Sequence, residues 1–105
     1  MIIATTETIA GKRIVDTFGL VRGNTIRARH IGRDIMAGLK NIVGGEIHEY
    51  TKLMGEAREQ ALDRMQVEAQ LLGANAVVSV RFTTSVIMGG AAELLAYGTA
   101  VRVED

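Results

Sequence analysis

Two short groups of side chains in this chain of 105 residues have the chemistry of metal ligands. The first is an E-x-H-E pattern, formed by Glu46, His48 and Glu49 at the start of a long helical pattern. Carboxylates and imidazoles bind hard or borderline divalent ions. Three residues this close in sequence cannot fill a tetrahedral site alone, so a second segment or a second subunit has to contribute. The alternative is that the acids stabilise the positive end of the helix dipole and the histidine is incidental.

The second group is His30 and Asp34, which lie four residues apart on a shorter predicted helix. This spacing makes their side chains neighbours. They can supply two metal ligands, or the carboxylate can orient the imidazole. The alternative is a polar pair on a solvated helix face. A divalent metal ion is the only cofactor that these residues suggest.

The charges of the chain are balanced overall, with twelve basic and twelve acidic residues, but they are unevenly placed. Residues 1–45 have seven basic and three acidic side chains, whereas residues 46–105 have five basic and nine acidic ones. One interpretation is that the two halves pair with each other, within or between chains. The other is an anion site in a basic patch, since arginine favours bidentate contacts with phosphate. The arginines of this patch are Arg22, Arg27, Arg29 and Arg33.

Glu93 follows a G-G-A-A segment and opens an apolar strand, so we expect its carboxylate to be half-buried and paired with Arg81 across a hairpin. With the arginines of the basic patch, these two residues complete a candidate ligand-binding set: Arg27, Arg29, Arg33, Arg81 and Glu93.

Few residues of this chain are suited to catalysis, which favours a binding protein over an enzyme. There is no cysteine, only two histidines and two serines, and no G-x-S-x-G or P-loop pattern. The zero net charge and the four aromatic residues argue against nucleic-acid binding. No stretch is long and apolar enough for a membrane span, and no signal peptide is recognisable, so a cytoplasmic location is expected.

The elements that must position these residues form a β-β-α-α-β-β order, which predicts a single α+β domain over residues 1–105 with two helices packed on one face of a sheet. The predicted strands cover residues 2–5, 13–22, 76–88 and 93–103, and turns are expected at Gly23-Asn24 and Gly89-Gly90. The first predicted helix carries the apolar stripe of Ile31, Ile35, Leu39 and Ile42. The second, over residues 46–72, carries a longer stripe of Tyr50, Met54, Ala57, Ala61, Met65, Ala69 and Leu72.

The faces of the strands follow from alternation. In the third strand, the alternation places Val78, Val80 and Phe82 on one face and Ser79 and Arg81 on the other, and Gly19 in the second strand indicates a bulge. In the last strand, one face carries Leu95, Tyr97, Thr99, Val101 and Val103 and the other carries Leu94, Ala96, Gly98 and Ala100, so both faces are weakly polar. No loop is long enough to cover the face without helices, so we expect neighbouring chains to meet there in an oligomer.

Several motifs follow one another in order over almost the whole chain: residues 23–34, Gly44-Gly45-Glu46 with Tyr50-Thr51, residues 57–61, residues 73–78 with Arg81-Phe82, and residues 96–101. With these motifs the chain resembles the YbjQ family of small bacterial and archaeal proteins. The resemblance implies a dodecin-like subunit, a homopentamer and a heavy-metal-binding label, although the absence of cysteine does not favour soft metals. It provides no established catalytic residue.

Three functions remain open at this point. The first is a homo-oligomeric protein, most simply a pentamer, that binds a metal ion or small ligand between its subunits and is not an enzyme. The second is a phosphate- or nucleotide-type anion binder, or an enzyme, that uses Arg27, Arg29 and Arg33 with Glu46 or Asp34 as a polar partner. The third is a structural assembly without a ligand. The expected partner in each case is a second copy of the chain, with neither nucleic acid nor membrane involved.

Overall fold

The computed structural model describes residues 1–27, 45–87 and 91–105, which form a single α+β domain. Its elements in chain order are β1 (Ile2–Ile3), β2 (Arg13–Arg27), α1 (Gly45–Leu71), β3 (Ala76–Ile87) and β4 (Ala91–Glu104). This confirms the predicted fold class. The first predicted helix and the turn at Gly89-Gly90 lie outside the described residues.

The strands form one mixed sheet in the order β1-β3-β4-β2. β1 runs parallel to β3, whereas β4 pairs antiparallel with both β3 and β2. Helix α1 packs on one face of this sheet, which we call the helix face, and the opposite face is called the outer face. The core between α1 and the sheet is built from mostly small buried side chains: Val21, Ala61, Met65, Ala69, Ala74, Val77, Val80, Ala96 and Ala100.

Small residues let α1 lie very close to β2. A β-carbon at Gly23 would collide with the backbone of Ala61 and Met65 and would stand 2.8 Å from Cβ of Arg64. The buried hydroxyl of Thr25 donates a hydrogen bond of 3.2 Å to the Ala57 carbonyl. The predicted turn at Gly23-Asn24 was therefore wrong, because Gly23 provides space for the helix while the strand continues to Arg27.

The outer face is covered over one half by the N-terminal residues of the chain itself. Ile2, Ile9 and Ile14 pack there against a second core cluster, which consists of Ala76, Val78, Val101 and Val103. The expectation that no loop could cover this face was wrong for this half. The other half carries the side chains of Leu20, Arg22, Asn24 and Ile26 on β2, Arg81, Thr83 and Ser85 on β3, and Glu93, Leu95, Tyr97 and Thr99 on β4.

Three bulges decide which residues reach each face. Two lie in β2, and the one between Thr17 and Gly19 confirms the predicted bulge, with Gly19 at a φ of 103°. The third lies in β3 between Val78 and Arg81, where Ser79 has a φ of 54°. One extra residue there reverses the alternation. The predicted faces of β3 were therefore wrong, since Arg81 lies on the same face as Val78.

Two ion pairs join the basic N-terminal part of the chain to its acidic end. Nζ of Lys12 lies 2.6 Å from the Asp105 carboxylate, and the Arg13 guanidinium lies 3.6 Å from Glu104. Within one chain, they place two basic side chains of residues 1–45 against two acidic side chains of residues 46–105. In the described part of the chain, no helix is both long enough and apolar enough to cross a membrane.

Candidate functional site

The exposed half of the outer face carries a row of three large polar side chains, one from each of its three strands. Tyr97 on β4 is directly opposite Arg22 on β2 and directly opposite Arg81 on β3. Directly paired residues on one face have β-carbons about 4.5–5.5 Å apart, so the two arginines start about 10 Å apart with the tyrosine between them. Both arginines are exposed, and Tyr97 is half-buried. We call these residues the Arg22–Tyr97–Arg81 row.

The guanidinium of Arg81 is held by backbone carbonyls on the β1 side of β3. One terminal nitrogen, Nη1, donates hydrogen bonds of 2.9 Å to the carbonyls of both Thr5 and Val80. The Thr5 carbonyl belongs to the turn after β1, and this turn is attached to β3 because the Ser79 amide donates to the Thr6 carbonyl over 2.9 Å. The N-terminal segment therefore holds the guanidinium end of the Arg81 side chain on the side of β3 opposite to Tyr97.

Arg22 makes no ion pair and no side-chain hydrogen bond with a described residue. Nε and Nη2 of Arg81 likewise make no ion pair and no hydrogen bond with a described residue. Glu93 also lies on the outer face, four positions from Tyr97 on β4, and its carboxylate contacts Asn24, which is two positions from Arg22 on β2. Among the described residues, neither arginine of the row forms an ion pair with a carboxylate.

Glu93 is half-buried, as expected, but its expected pairing with Arg81 was wrong. In the observed register Glu93 is opposite Ser85 on β3 and opposite Ile26 on β2. Its Oε2 accepts a hydrogen bond of 3.0 Å from Nδ2 of Asn24. The β3 bulge and the length of the hairpin separate Glu93 from Arg81 along the sheet. A neutral amide on β2 therefore provides the contact that the sequence assigned to a guanidinium on β3.

The predicted metal ligands are placed only in part. Glu46, His48 and Glu49 lie in the first turns of α1, where the structure describes the backbone path. His30 and Asp34 lie outside the described residues. Within the described ranges, the His, Asp and Glu side chains form no group of three that could hold a metal ion. Both metal-ligand groups therefore remain sequence predictions.

The predicted arginine patch is divided in the same way. Arg27 is the last residue of β2 and is opposite Ala92, while Arg29 and Arg33 lie outside the described residues. Of the candidate ligand-binding residues, Arg81 and Glu93 share the outer face but are not in contact. Arg22 was part of the predicted basic patch, but Tyr97 and Asn24 were not among the predicted site residues. Alternation on β4 placed Tyr97 correctly, but no sequence signal showed that the β3 bulge would bring Arg81 beside it.

Comparison with known proteins identifies the family of this chain over nearly its whole length. Residues 1–104 match the model of the YbjQ family, which is described as "Putative heavy-metal-binding". A UPF0145 protein of Methanosarcina acetivorans is 61% identical over 98% of this chain and 97% of its own length. A UPF0145 protein of Archaeoglobus fulgidus is 63% identical over 98% of this chain and 95% of its own length.

A solved structure has the same fold. It is a crystal structure of a protein of unknown function of the DUF74 family from Pediococcus pentosaceus, with a TM-score of 0.64 and 18% identity, covering 99% of this chain and 98% of that one. At this identity the likeness concerns the fold alone. The family match over nearly the entire chain and the identities near 60% establish membership. This chain belongs to the YbjQ family, and the UPF0145 proteins are its relatives.

Proposed function

We propose that this protein is a non-enzymatic subunit of a homo-oligomer, with five copies as the expected number, that holds a metal ion or small ligand where subunits meet. The observation that carries the proposal is a sheet with two open edges in the described structure. On one side β2 pairs only with β4, which leaves the outer edge of a 15-residue strand without a described partner. Unpaired edge groups readily pair with another strand.

The opposite edge of the sheet is open over part of its length. β1 has two residues, and it and the following residues bond β3 only as far as Val80. From Arg81 to Ile87 the outer edge of β3 has no strand partner among the described residues. The two open edges belong to different strands, so a contact between β2 of one copy and β3 of the next is heterologous. Heterologous contacts form a ring when the rotation between neighbouring subunits closes, as it does for five copies related by a fivefold axis.

Exposed apolar side chains support a second copy as the occupant of the β2 edge. Leu20 and Ile26, both on β2, are 63% and 57% exposed, and the bulge residues Val15 and Phe18 are also exposed. Burial of such side chains contributes about 25 cal/mol per Å² of apolar surface. A strand from another copy, added at this edge, would cover them and satisfy the edge backbone at the same time.

The family description favours a metal ion as one ligand of the assembly. The chain provides two groups for it, the E-x-H-E pattern of Glu46, His48 and Glu49 and the pair His30 and Asp34. Neither group alone has enough ligands for a four-coordinate site. An oligomer removes this shortage, because a neighbouring subunit can contribute the missing ligands.

The assembly is tested by size-exclusion chromatography with light scattering. Five chains of 11.3 kDa should give a mass of about 56 kDa, in agreement with a ring. Leu20→Lys places a charge at the β2 edge and should reduce the mass to that of smaller species. Leu71→Lys is the matched control, because Leu71 is 82% exposed at the end of α1, away from both sheet edges. A monomeric wild-type protein would contradict the proposal.

The metal version is tested by calorimetric titration with Zn²⁺, Ni²⁺ and Cu²⁺. His48→Ala should abolish or strongly weaken binding if the E-x-H-E pattern holds the ion, and Glu68→Ala, at an exposed position on the same helix, should leave binding unchanged. Equal weak binding by the wild type and His48→Ala would eliminate this pattern as the metal site.

A further inference from the structure

We propose that neighbouring copies of this chain join as parallel strands, with the outer edge of β2 in one copy paired to the open edge of β3 in the next. This inference rests on the assembly proposed above, and it adds the direction of the paired strands and the relation of the two faces. In this arrangement the α1 helices of all copies lie on one side of a continuous sheet.

Hydrogen bonds within the sheet show which backbone groups of β2 are free. The Val101 carbonyl accepts a bond of 3.1 Å from the Asn75 amide, so the backbone groups of Val101, and of every second residue from it along β4, point towards β3. The groups of the intervening residues point towards β2, where Gly98 is opposite Val21. The alternate residues of β2 therefore direct their amides and carbonyls away from the sheet. These residues are Leu20, Arg22, Asn24 and Ile26.

The free backbone groups of β3 follow from the bulge in that strand. The Val80 amide donates a bond of 3.0 Å to the Ala4 carbonyl, so the backbone groups of Val80 point away from β4. Every second residue beyond the bulge repeats this direction, which leaves the groups of Phe82 and Thr84 at the open edge. Among the described residues, the N-terminal segment bonds the backbone of β3 only as far as Val80, so a neighbouring strand can pair from Arg81 onwards.

The two edges carry their free groups on residues of opposite faces. Arg22 lies on the outer face, whereas Phe82 is opposite Ala96 and lies on the helix face. In an antiparallel ladder, residues that bond each other are directly opposite and share a face. In a parallel ladder the bonds are slanted, and a residue bonds to the two residues that flank the one beside it, which lie on the other face. Parallel pairing therefore joins outer face to outer face, whereas antiparallel pairing would turn the next copy over.

The direction of the strands within one copy agrees with a parallel contact. β2 and β3 run in the same direction, because β4 is antiparallel to both. In a ring of five, neighbouring copies differ by one-fifth of a turn, and such a rotation cannot reverse a strand. An antiparallel contact needs a half-turn between neighbours, which five copies cannot repeat around a ring. Parallel pairing is therefore the contact that a fivefold rotation produces.

The position of α1 is a second, independent reason for equal faces. The helix lies over the edge strand β2, where it contacts Gly23 and Thr25, and Nη1 of Arg64 donates a hydrogen bond to the Asn24 carbonyl at the outer edge. The helix face of β3 is less covered, since Phe82 is 44% exposed. With equal faces, α1 of the next copy stands beside Phe82 and can cover it. With reversed faces, the outer face of the next copy would lie there.

Disulfide cross-linking tests the contact, because the chain has no cysteine of its own. Arg22→Cys is combined in turn with a cysteine at one of the outer-face positions of β3, namely Arg81, Thr83 and Ser85. The matched controls combine it with a cysteine on the helix face, at Phe82 or Thr84. Adjacent strands lie about 4.8 Å apart, within reach of a disulfide, whereas β2 and β3 of one copy are separated by β4 and so by about twice that distance. A cross-link therefore reports a contact between copies.

At least one outer-face pair should give a ladder of covalent multimers on non-reducing gels, because a heterologous contact gives each copy one cysteine for each neighbour. The ladder should end at the number of chains found by light scattering, and reduction should return it to the single chain. The helix-face pairs and Arg22→Cys alone should remain single chains. Cross-linking by the helix-face pairs in place of the outer-face pairs would show reversed faces and overturn the proposal.

Light scattering on the wild-type protein separates this contact from the assembly itself. If the wild type is an oligomer but none of the outer-face pairs cross-links, this contact is wrong and the assembly stands. If the wild type is a monomer, both the assembly and this contact are wrong.

Discussion

The two faces of the sheet are built from the same strands but differ in the size, burial and polarity of their side chains. On the helix face, the side chains are small and buried, and the helix backbone touches the strand at Gly23. On the exposed half of the outer face, the side chains are of mixed size and polarity, from Arg22 and Tyr97 to Leu20, and they lie in rows across β2, β4 and β3. Neighbouring residues of one strand, such as Val21 and Arg22, belong to these two different environments.

This difference separates residues that determine stability from residues that are available for binding. A residue of the helix face has its size fixed by the atoms packed against it. A residue such as Arg22 is exposed and has no such restraint among the described residues, so its type is not fixed by packing within the subunit. We therefore expect matched substitutions on the two faces to change the free energy of unfolding by unequal amounts.

The largest effect should come from Gly23→Ala, which tests the closeness of α1 and β2 directly. The new β-carbon would overlap backbone atoms of Ala61 and Met65, which cannot rotate away as a side chain can. We expect a loss of about 3 kcal/mol or more in the free energy of unfolding, at the top of the range for overpacking. Urea denaturation at one fixed protein concentration measures it.

Gly55→Ala is the control for this substitution. Gly55 lies inside α1, and a β-carbon there would come no closer than 4.0 Å to Arg58. The same change should therefore stabilise the protein by about 0.5–1 kcal/mol through helix propensity. If both glycine substitutions shift the urea midpoint in the same direction, the close contact at Gly23 does not restrict the size of side chain that the helix face accepts.

Met65→Ala should have the next largest effect, because it removes the largest fully buried side chain of the helix core. The lost burial and the remaining cavity should cost about 2–3 kcal/mol. Leu71→Ala removes an apolar side chain of similar size from the same helix, but Leu71 is exposed, so the change should stay within about 0.5 kcal/mol. Equal losses in the free energy of unfolding, measured by thermal or urea denaturation, would show that these buried and exposed positions of α1 contribute equally to stability.

The order and type of the described elements could be predicted from sequence because periodicity is a local signal. The stripe of Ala57, Ala61, Met65 and Ala69 predicted the buried side of α1, and all four are fully buried. The alternation on β4 was also correct. Leu72 was wrongly included in the stripe. The helix ends at Leu71, and Leu72 is 46% exposed.

The candidate site was less predictable because it depends on long-range pairing. Gly23 indicated a turn by its residue type, and only the presence of α1 above it explains why a glycine stands within a strand. The β3 bulge depends on hydrogen bonds from Ser79 and Val80 to the N-terminal residues Thr6 and Ala4. These contacts join residues more than 70 positions apart, so no local pattern shows that Arg81 reaches Tyr97.

A hydroxyl on each face provides a finer version of the same contrast. Thr25→Val keeps the shape of the buried side chain but removes its hydrogen bond to the Ala57 carbonyl, and we expect a loss of about 1 kcal/mol. Thr83→Val is the matched change on the outer face, where Thr83 is exposed, and it should be nearly neutral. Urea midpoints of the two variants check this, and a larger loss for Thr83→Val would show that the outer face is itself packed.

The smallest expected effect concerns the exposed pair of Lys12 and Asp105, which belongs to neither packed cluster. The Lys12 ammonium lowers the pKa of the Asp105 carboxyl from its ordinary value, first through its hydrogen bond and then through charge attraction. A lowered pKa in the folded protein means that the ionised carboxyl favours folding above its ordinary pKa. This contribution is lost as the pH falls through the lowered value. Asp105→Asn should therefore reduce the urea midpoint slightly at neutral pH, and the difference should disappear once the pH lies below the lowered pKa, where both side chains are neutral. Titration of the Asp105 carboxyl by NMR should show its pKa rising in Lys12→Met, whereas Arg13→Met, which removes the neighbouring contact to Glu104, should leave it in place. An unchanged pKa in Lys12→Met would show that the pair is absent in solution, and the connection between the basic and acidic ends of the chain would then depend on the Arg13–Glu104 contact and on the backbone pairing of β2 with β4.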